Sequence, residues 1–216
     1  MNGIPLAADF SPSLTLLILS VMVLSALWFQ AASFPRESTR MGWTWSKPRQ
    51  LLARNAAETP HTLGVWTGHA MTVFAVMLFL ELIGWTATSS EKLGAAVGWV
   101  MTTHLLKRVG SRMALSDHDL ASTLNELHRH GLCLVAMVLA CWGVVCGLQP
   151  SLHGSAISGQ VAWMLATAGL GFAAWRASQV YRSASKPGLL GILYLCALEW
   201  GWSAGWLAWI ALVKGP

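Results

Sequence analysis

The sequence predicts an all-α, polytopic membrane protein. The expected architecture is a six-helix transmembrane bundle with short surface helices on the cytoplasmic side, forming a single transmembrane domain over residues 1–216. Three observations predict it. Hydrophobic residues make up 55% of the 216-residue chain and charged residues only 11%, whereas a soluble domain carries roughly 25% charged residues. Apolar runs recur along the whole chain, each close to the ~20 residues that cross a ~30 Å hydrocarbon core. Lysine and arginine also fall in alternate connecting segments. Five lie between Pro35 and Gly64, four are Lys107, Arg108, Arg112 and Arg129, and three are Arg176, Arg182 and Lys186, which leaves only Lys92 and Lys214 elsewhere. The positive-inside rule places those segments in the cytoplasm and both termini in the periplasm of a bacterial inner membrane. The net charge of +5 then belongs to the inner loops. No basic patch with interleaved stacking aromatics stands apart from them, which argues against nucleic acid.

Taken in order, the first span is expected at 14–34. Residues 1–12 lack the positive n-region and cleavage site of a secretory signal, so this span reads as retained. Pro35 to Gly64 is basic. Within it Ser46 is a plausible N-cap, Pro48 suits a first turn, and Thr59-Pro60 would end a short helix lying on the membrane surface. The second span is expected at 65–88. The polar turn Ser89-Ser90-Glu91-Lys92 leads to the third, 93–108, whose inner end would need Lys107 and Arg108 to snorkel. Ser116 and Asp119 suggest a capping box. After it, Leu120, Leu124 and Leu127 give the spacing of an amphipathic surface helix leading into the fourth span, 131–148. An uncharged outer loop precedes the fifth span, 160–177. The last span is expected at 189–213. Trp28, Trp66, Trp85 and Trp209 fall near predicted span ends, where indole rings anchor at the interface. Cys133, Cys141, Cys146 and Cys196 lie within spans and have no metal or redox spacing, so they read as packing residues.

The groups that could carry chemistry are few. Glu81 and Glu199 are the acids inside spans. An intramembrane carboxylate is costly and must face protein, water or a partner. Together with His104 and Lys107 they are the proton-binding candidates, set against a structural reading in which a hydrogen-bonded acid fixes helix register. His69 and His104 sit at similar depth near the inner ends of two spans, and His128 and His130 where a third begins. Two imidazoles on different helices could hold a b-type haem, and this is the weak cofactor candidate; no spacing supports a metal site. Gly94/Gly98, Gly143/Gly147 and Gly201/Gly205 are small-xxx-small pairs that let helices approach closely.

The run Ile192-Leu193-Tyr194-Leu195-Cys196-Ala197-Leu198-Glu199 resembles the ending of an uncharacterised family of inner-membrane proteins from Bacteroidota, a domain of unknown function. Its members are similar in length and end in a hydrophobic helix with a Leu-Tyr-Leu-Cys-x-Leu-Glu signature. Trp28-Phe29, Phe34 and Arg36, followed by a basic surface segment, are similar to the family's opening. Trp200-Gly201-Trp202 departs from the aliphatic residues found after the glutamate there. The resemblance implies a fold and a cell location, and no reaction. The expected function is therefore a non-enzymatic membrane subunit that packs through its glycine faces against other envelope proteins, with proton coupling through the intramembrane glutamates. A small proton-linked transporter or channel and a haem-binding redox protein are the alternatives.

Overall fold

Helix α5 (His118–Leu148) is the axis against which the rest of the chain packs. The computed structural model describes residues 12–47, 62–115, 118–149, 151–152, 155–184 and 189–194, with 196–197, 201–202, 204–206, 208 and 210 from the last stretch. Around α5 stand α1 (Pro12–Ser33), α3 (Thr62–Leu82), α4 (Ser89–Ala114) and α6 (Ala156–Ala184); a short α2 (Pro35–Ser46) follows α1, and α7 opens the last stretch at Leu189–Tyr194. No strand occurs among the described residues. Four segments among them are long and apolar enough to cross a membrane: Ser13–Ser33, Thr62–Leu82, Asp119–Leu148 and Ala156–Arg182.

Side-chain neighbours fix the helix directions. A methyl group on Gly147 would meet Leu17, and one on Gly143 would meet Ser20 and Leu78, so α1 runs antiparallel to α5. Gly68 lies against Arg129, which makes α3 parallel to α5. Gly131 faces Ala173 and Gly169 faces Val135, so α6 is antiparallel. Helix α4 returns alongside α3, with Lys92 at Glu81 and His104 at His69. The core between them includes Leu16, Leu78, Leu80, Ala136 and Ala140, all essentially inaccessible. Tryptophans also fill the middle. Trp99 stacks on Trp206 at 4.8 Å between centroids, and Phe79 meets Trp163 edge-on at 5.1 Å. Trp28 and Trp66, by contrast, are exposed, as interfacial anchors would be.

Several expected boundaries move, for identifiable reasons. The second span stops at Leu82 rather than Thr88. Gly84 takes a left-handed φ of +71°, Trp85 N–H donates to Leu80 O, and Gly84 N–H donates to Glu81 O. That is a Schellman ending, which a glycine permits without steric strain. The polar turn at 89–92 is the first turn of α4. Thr88 caps it reciprocally with Glu91, the Thr88 N–H donating to Glu91 Oε2 at 2.7 Å and the Glu91 N–H to Thr88 Oγ1 at 3.4 Å. The helix then continues past Arg108 to Ala114. The expected surface helix before the fourth span is instead the first half of α5. Its leucines, Leu120, Leu124 and Leu127, face inward against Ala177, Val180, Tyr181 and Tyr194. Ser46 ends α2, and its hydroxyl donates to Gly42 O at 2.9 Å. The surface helix expected after it falls on 48–61, outside the described residues.

Beside Ala96, Trp99 and Val100, helix α4 buries four polar side chains, and it exposes a row of apolar ones. Lys92, Thr103, Lys107 and Ser111 are buried, while Leu93, Val97, Met101, Leu105, Val109 and Met113 are all exposed. Those six recur every fourth residue. From Leu93 to Met113 the stripe rises about 30 Å at 1.5 Å per residue, the thickness of a hydrocarbon core. A soluble protein would place these two faces the other way round.

Candidate functional site

Two short segments share the spacing acid-x-x-arginine: Glu37 to Arg40 on α2, and Glu126 to Arg129 on α5. On a helix that spacing puts both charges on one face. The structure pairs them reciprocally. Arg40 grips Glu126 with two parallel bonds, Nε to Oε1 at 2.7 Å and Nη2 to Oε2 at 2.9 Å. Arg129 Nη2 donates to Glu37 Oε2 at 3.2 Å. All four residues are at most 7% exposed, and His130, fully buried, lies 3.9 Å from Glu126. Helix α3 makes room for them with glycine. Gly64 lies beside the Glu37 side chain and Gly68 beside that of Arg129, where a larger residue would crowd the pair. Ligand atoms of Glu37, Glu126 and His130 converge within 4.8 Å, as in a metal group. Both carboxylates are already committed to guanidinium groups, so a cation there would have to displace an arginine.

Behind this cluster a cavity of about 450 Å³ opens between α3, α4 and α5. That is within the range of small-molecule sites, roughly 300–1,000 Å³. Its basic lining consists of Lys107, Arg108 and Arg112 from α4 and Arg129 from α5; Glu126, its one lining acid, is held by Arg40. Val65, Trp66, Val100, Met101 and Leu132 supply apolar surface. His69 and His104 touch edge to face in the wall, with centroids 4.6 Å apart and ring planes at 75°. Lys107 Nζ lies 2.7 Å from His128 Nδ1. With the ammonium donating, the neutral imidazole carries its own proton on Nε2.

These placements sort the sequence candidates. His69, His104, Lys107 and His128 come together in the cavity. His130 belongs to the ion-pair cluster. Glu81 sits at the opposite end of the bundle, in the last turn of α3, where Lys92 Nζ donates to it at 2.9 Å. It lies at the rim because the helix ends six residues earlier than expected. Glu199, and with it any contact to His104, lies outside the described residues. Of the weak b-haem candidates, His69 and His104 are in ring contact, which leaves no slot for a macrocycle between those two.

The glycine pairs also differ in use. Gly143 and Gly147 pack inside the molecule against α1. A methyl group on Gly94, Gly98 or Gly205 would instead meet no described heavy atom within 4 Å beyond its own helix, and one on Gly201 would meet Cys196 O alone. Sequence reasoning missed Glu37, Arg40, Glu126, Gly64 and Gly68. The repeated acid-x-x-arginine spacing was the available signal for the first three, and Gly64-x-x-x-Gly68, at the spacing noted elsewhere in the chain, was the signal for the last two. No family model, curated protein or solved structure matches the chain.

Proposed function

We propose that the protein is a non-enzymatic, six-span protein of the bacterial inner membrane that holds a small ligand in the cavity at its basic, cytoplasmic end. The observation that carries this is the cavity itself: about 450 Å³, bounded by three helices, each of which contributes both apolar and charged or imidazole side chains. The six-span count adds two crossings to the four apolar segments. Helix α4 qualifies through its outward apolar stripe. The last stretch is supported by Tyr194, which shares a buried cluster with Leu124, and by Ile210, which shares the other with Leu16 and Phe79. Membership of the Bacteroidota family belongs to the same reading and rests on the Leu-Tyr-Leu-Cys motif. Proton coupling stays with Glu199 and the histidines of the cavity, since Lys92 is paired with Glu81.

The test is native mass spectrometry of the detergent-purified protein, with Ser122→Trp as a variant that fills the cavity from a half-buried lining position. The wild type should carry or take up a small molecule that the folded variant does not. A wild type that binds nothing from a membrane extract overturns the reading. The open Gly94/Gly98 face favours a second reading, a subunit docked to another envelope protein. In that case a protein chain co-purifies, and Gly98→Leu releases it without affecting the cavity.

A further inference from the structure

The cavity's chemistry narrows its ligand, on the reading that it is a binding site at all. Arg129 is 7% exposed and lines the cavity, and its Nη1 is buried without a hydrogen-bond partner among the described residues. His69 Nε2, in the same wall, is likewise buried and unpartnered among the described residues. Arg108 and Arg112 stand one turn apart on α4, line the cavity, and form no ion pair with a described carboxylate. Two guanidinium groups, Arg108 and Arg112, therefore border a space whose acid among the described residues, Glu126, is already bound by Arg40, while Arg129 is bound by Glu37. Guanidinium forks match the oxygens of phosphate, and several of them suit a doubly charged group better than a single carboxylate. The neighbouring apolar wall, with Val65, Trp66, Val100 and Leu132, suits a hydrocarbon body.

We propose that the cavity receives a phosphate monoester, held by Arg108 and Arg112, with any attached apolar chain lying against Val65, Trp66, Val100 and Leu132. The phosphate arrives either as a lipid headgroup from the bilayer or as a free anion from the cytoplasm, and the chemistry at the arginines is the same.

The experiment measures binding by native mass spectrometry of the full-length protein in a neutral detergent, with three probes: short-chain phosphatidic acid, short-chain phosphatidylcholine and inorganic phosphate. The variant is Arg108→Gln/Arg112→Gln, chosen because both side chains are exposed and neither supports the ion-pair cluster. Phosphatidic acid should bind at least about tenfold more tightly than phosphatidylcholine, and the variant should weaken it by about tenfold for each charge-assisted hydrogen bond removed. Comparable binding of inorganic phosphate, also weakened by the variant, supports the anion site with a soluble source. Equal binding of phosphatidylcholine and phosphatidic acid, or a variant indistinguishable from wild type, overturns the phosphate assignment while leaving the cavity a ligand site. Failure of all three probes, together with no difference in bound ligand between wild type and Ser122→Trp, overturns both readings.

Discussion

At the Gly143 end of the bundle, helices meet through small residues, with Gly143 against Ser20 and Leu78, Gly147 against Leu17, and Ser158 Oγ donating to Leu82 O at 3.4 Å. At the Glu126 end they meet through two buried ion pairs, and beside these the helices stand apart around a cavity. Both solve the same problem, since a bilayer offers helices no hydrophobic drive to associate. Close packing of small residues excludes everything else from the interface. Here the ion pairs tie α2 to α5, and the cavity opens beside them between α5, α3 and α4.

The largest effect should come from breaking one ion pair. Arg40→Ala leaves Glu126 charged and buried at 4% exposure. Removing one partner of such a pair typically destabilises by about 3–5 kcal/mol. The double variant Arg40→Met/Glu126→Leu removes both charges and should recover most of that loss, as buried pairs replaced by apolar residues often do. Unfolding of the purified protein in mixed micelles measures both. If Arg40→Ala and the double variant are equally unstable, the helices at this end are held by shape, as at the other end, and the contrast disappears.

A smaller effect sharpens the contrast from the opposite side. Gly143→Leu inserts a side chain where Ser20 and Leu78 already press on the backbone. Overpacking of this kind costs about 1–3 kcal/mol. Gly94→Leu, on a face with no neighbouring atoms within 4 Å, should change stability by less than about 0.5 kcal/mol in the isolated protein. Equal effects at the two glycines would mean that the α1–α5 interface is looser than the structure has it.

How much of this was legible in the sequence follows from the same physics. Hydropathy located the four apolar spans, because the bilayer demands a run of apolar residues whatever the helices touch. It placed the second helix's end six residues late, because Gly84 terminates a helix by conformation rather than polarity. It read the leucines at 120, 124 and 127 as a surface stripe, since periodicity shows that one face is apolar but not what covers it. The gathering of His69, His104, Lys107 and His128 was only half visible. Their depths could be counted along each span, but their facing one another depends on how three helices rotate. Glu126 escaped notice because one acid at the start of an apolar helix looks like a solvated end. Its meaning lies 86 residues away at Arg40, and only the repeated spacing linked them.

The smallest effect concerns the cap of α4, at the closed end of the molecule. Hydrogen bonds from the Thr88 backbone and then its side chain hold the Glu91 carboxyl below its ordinary pKa of 4.5. A depressed carboxylate pKa means that its contribution to folding is fully present above the ordinary value and fades as pH falls through the lowered one. Protection of the first-turn amides of α4, taken relative to their intrinsic exchange rate at each pH, should therefore fall once the pH drops below that ordinary value, with little change from there up to neutrality. Thr88→Ala, which removes the cap at a cost of about 1 kcal/mol, should quicken exchange at neutral pH and flatten the acid dependence together. The cavity, at the far end of α4, should keep its ligand affinity in this variant. A loss there would mean that α4 transmits its capping state along its length, so that the two ends, held by different interactions, are not independent.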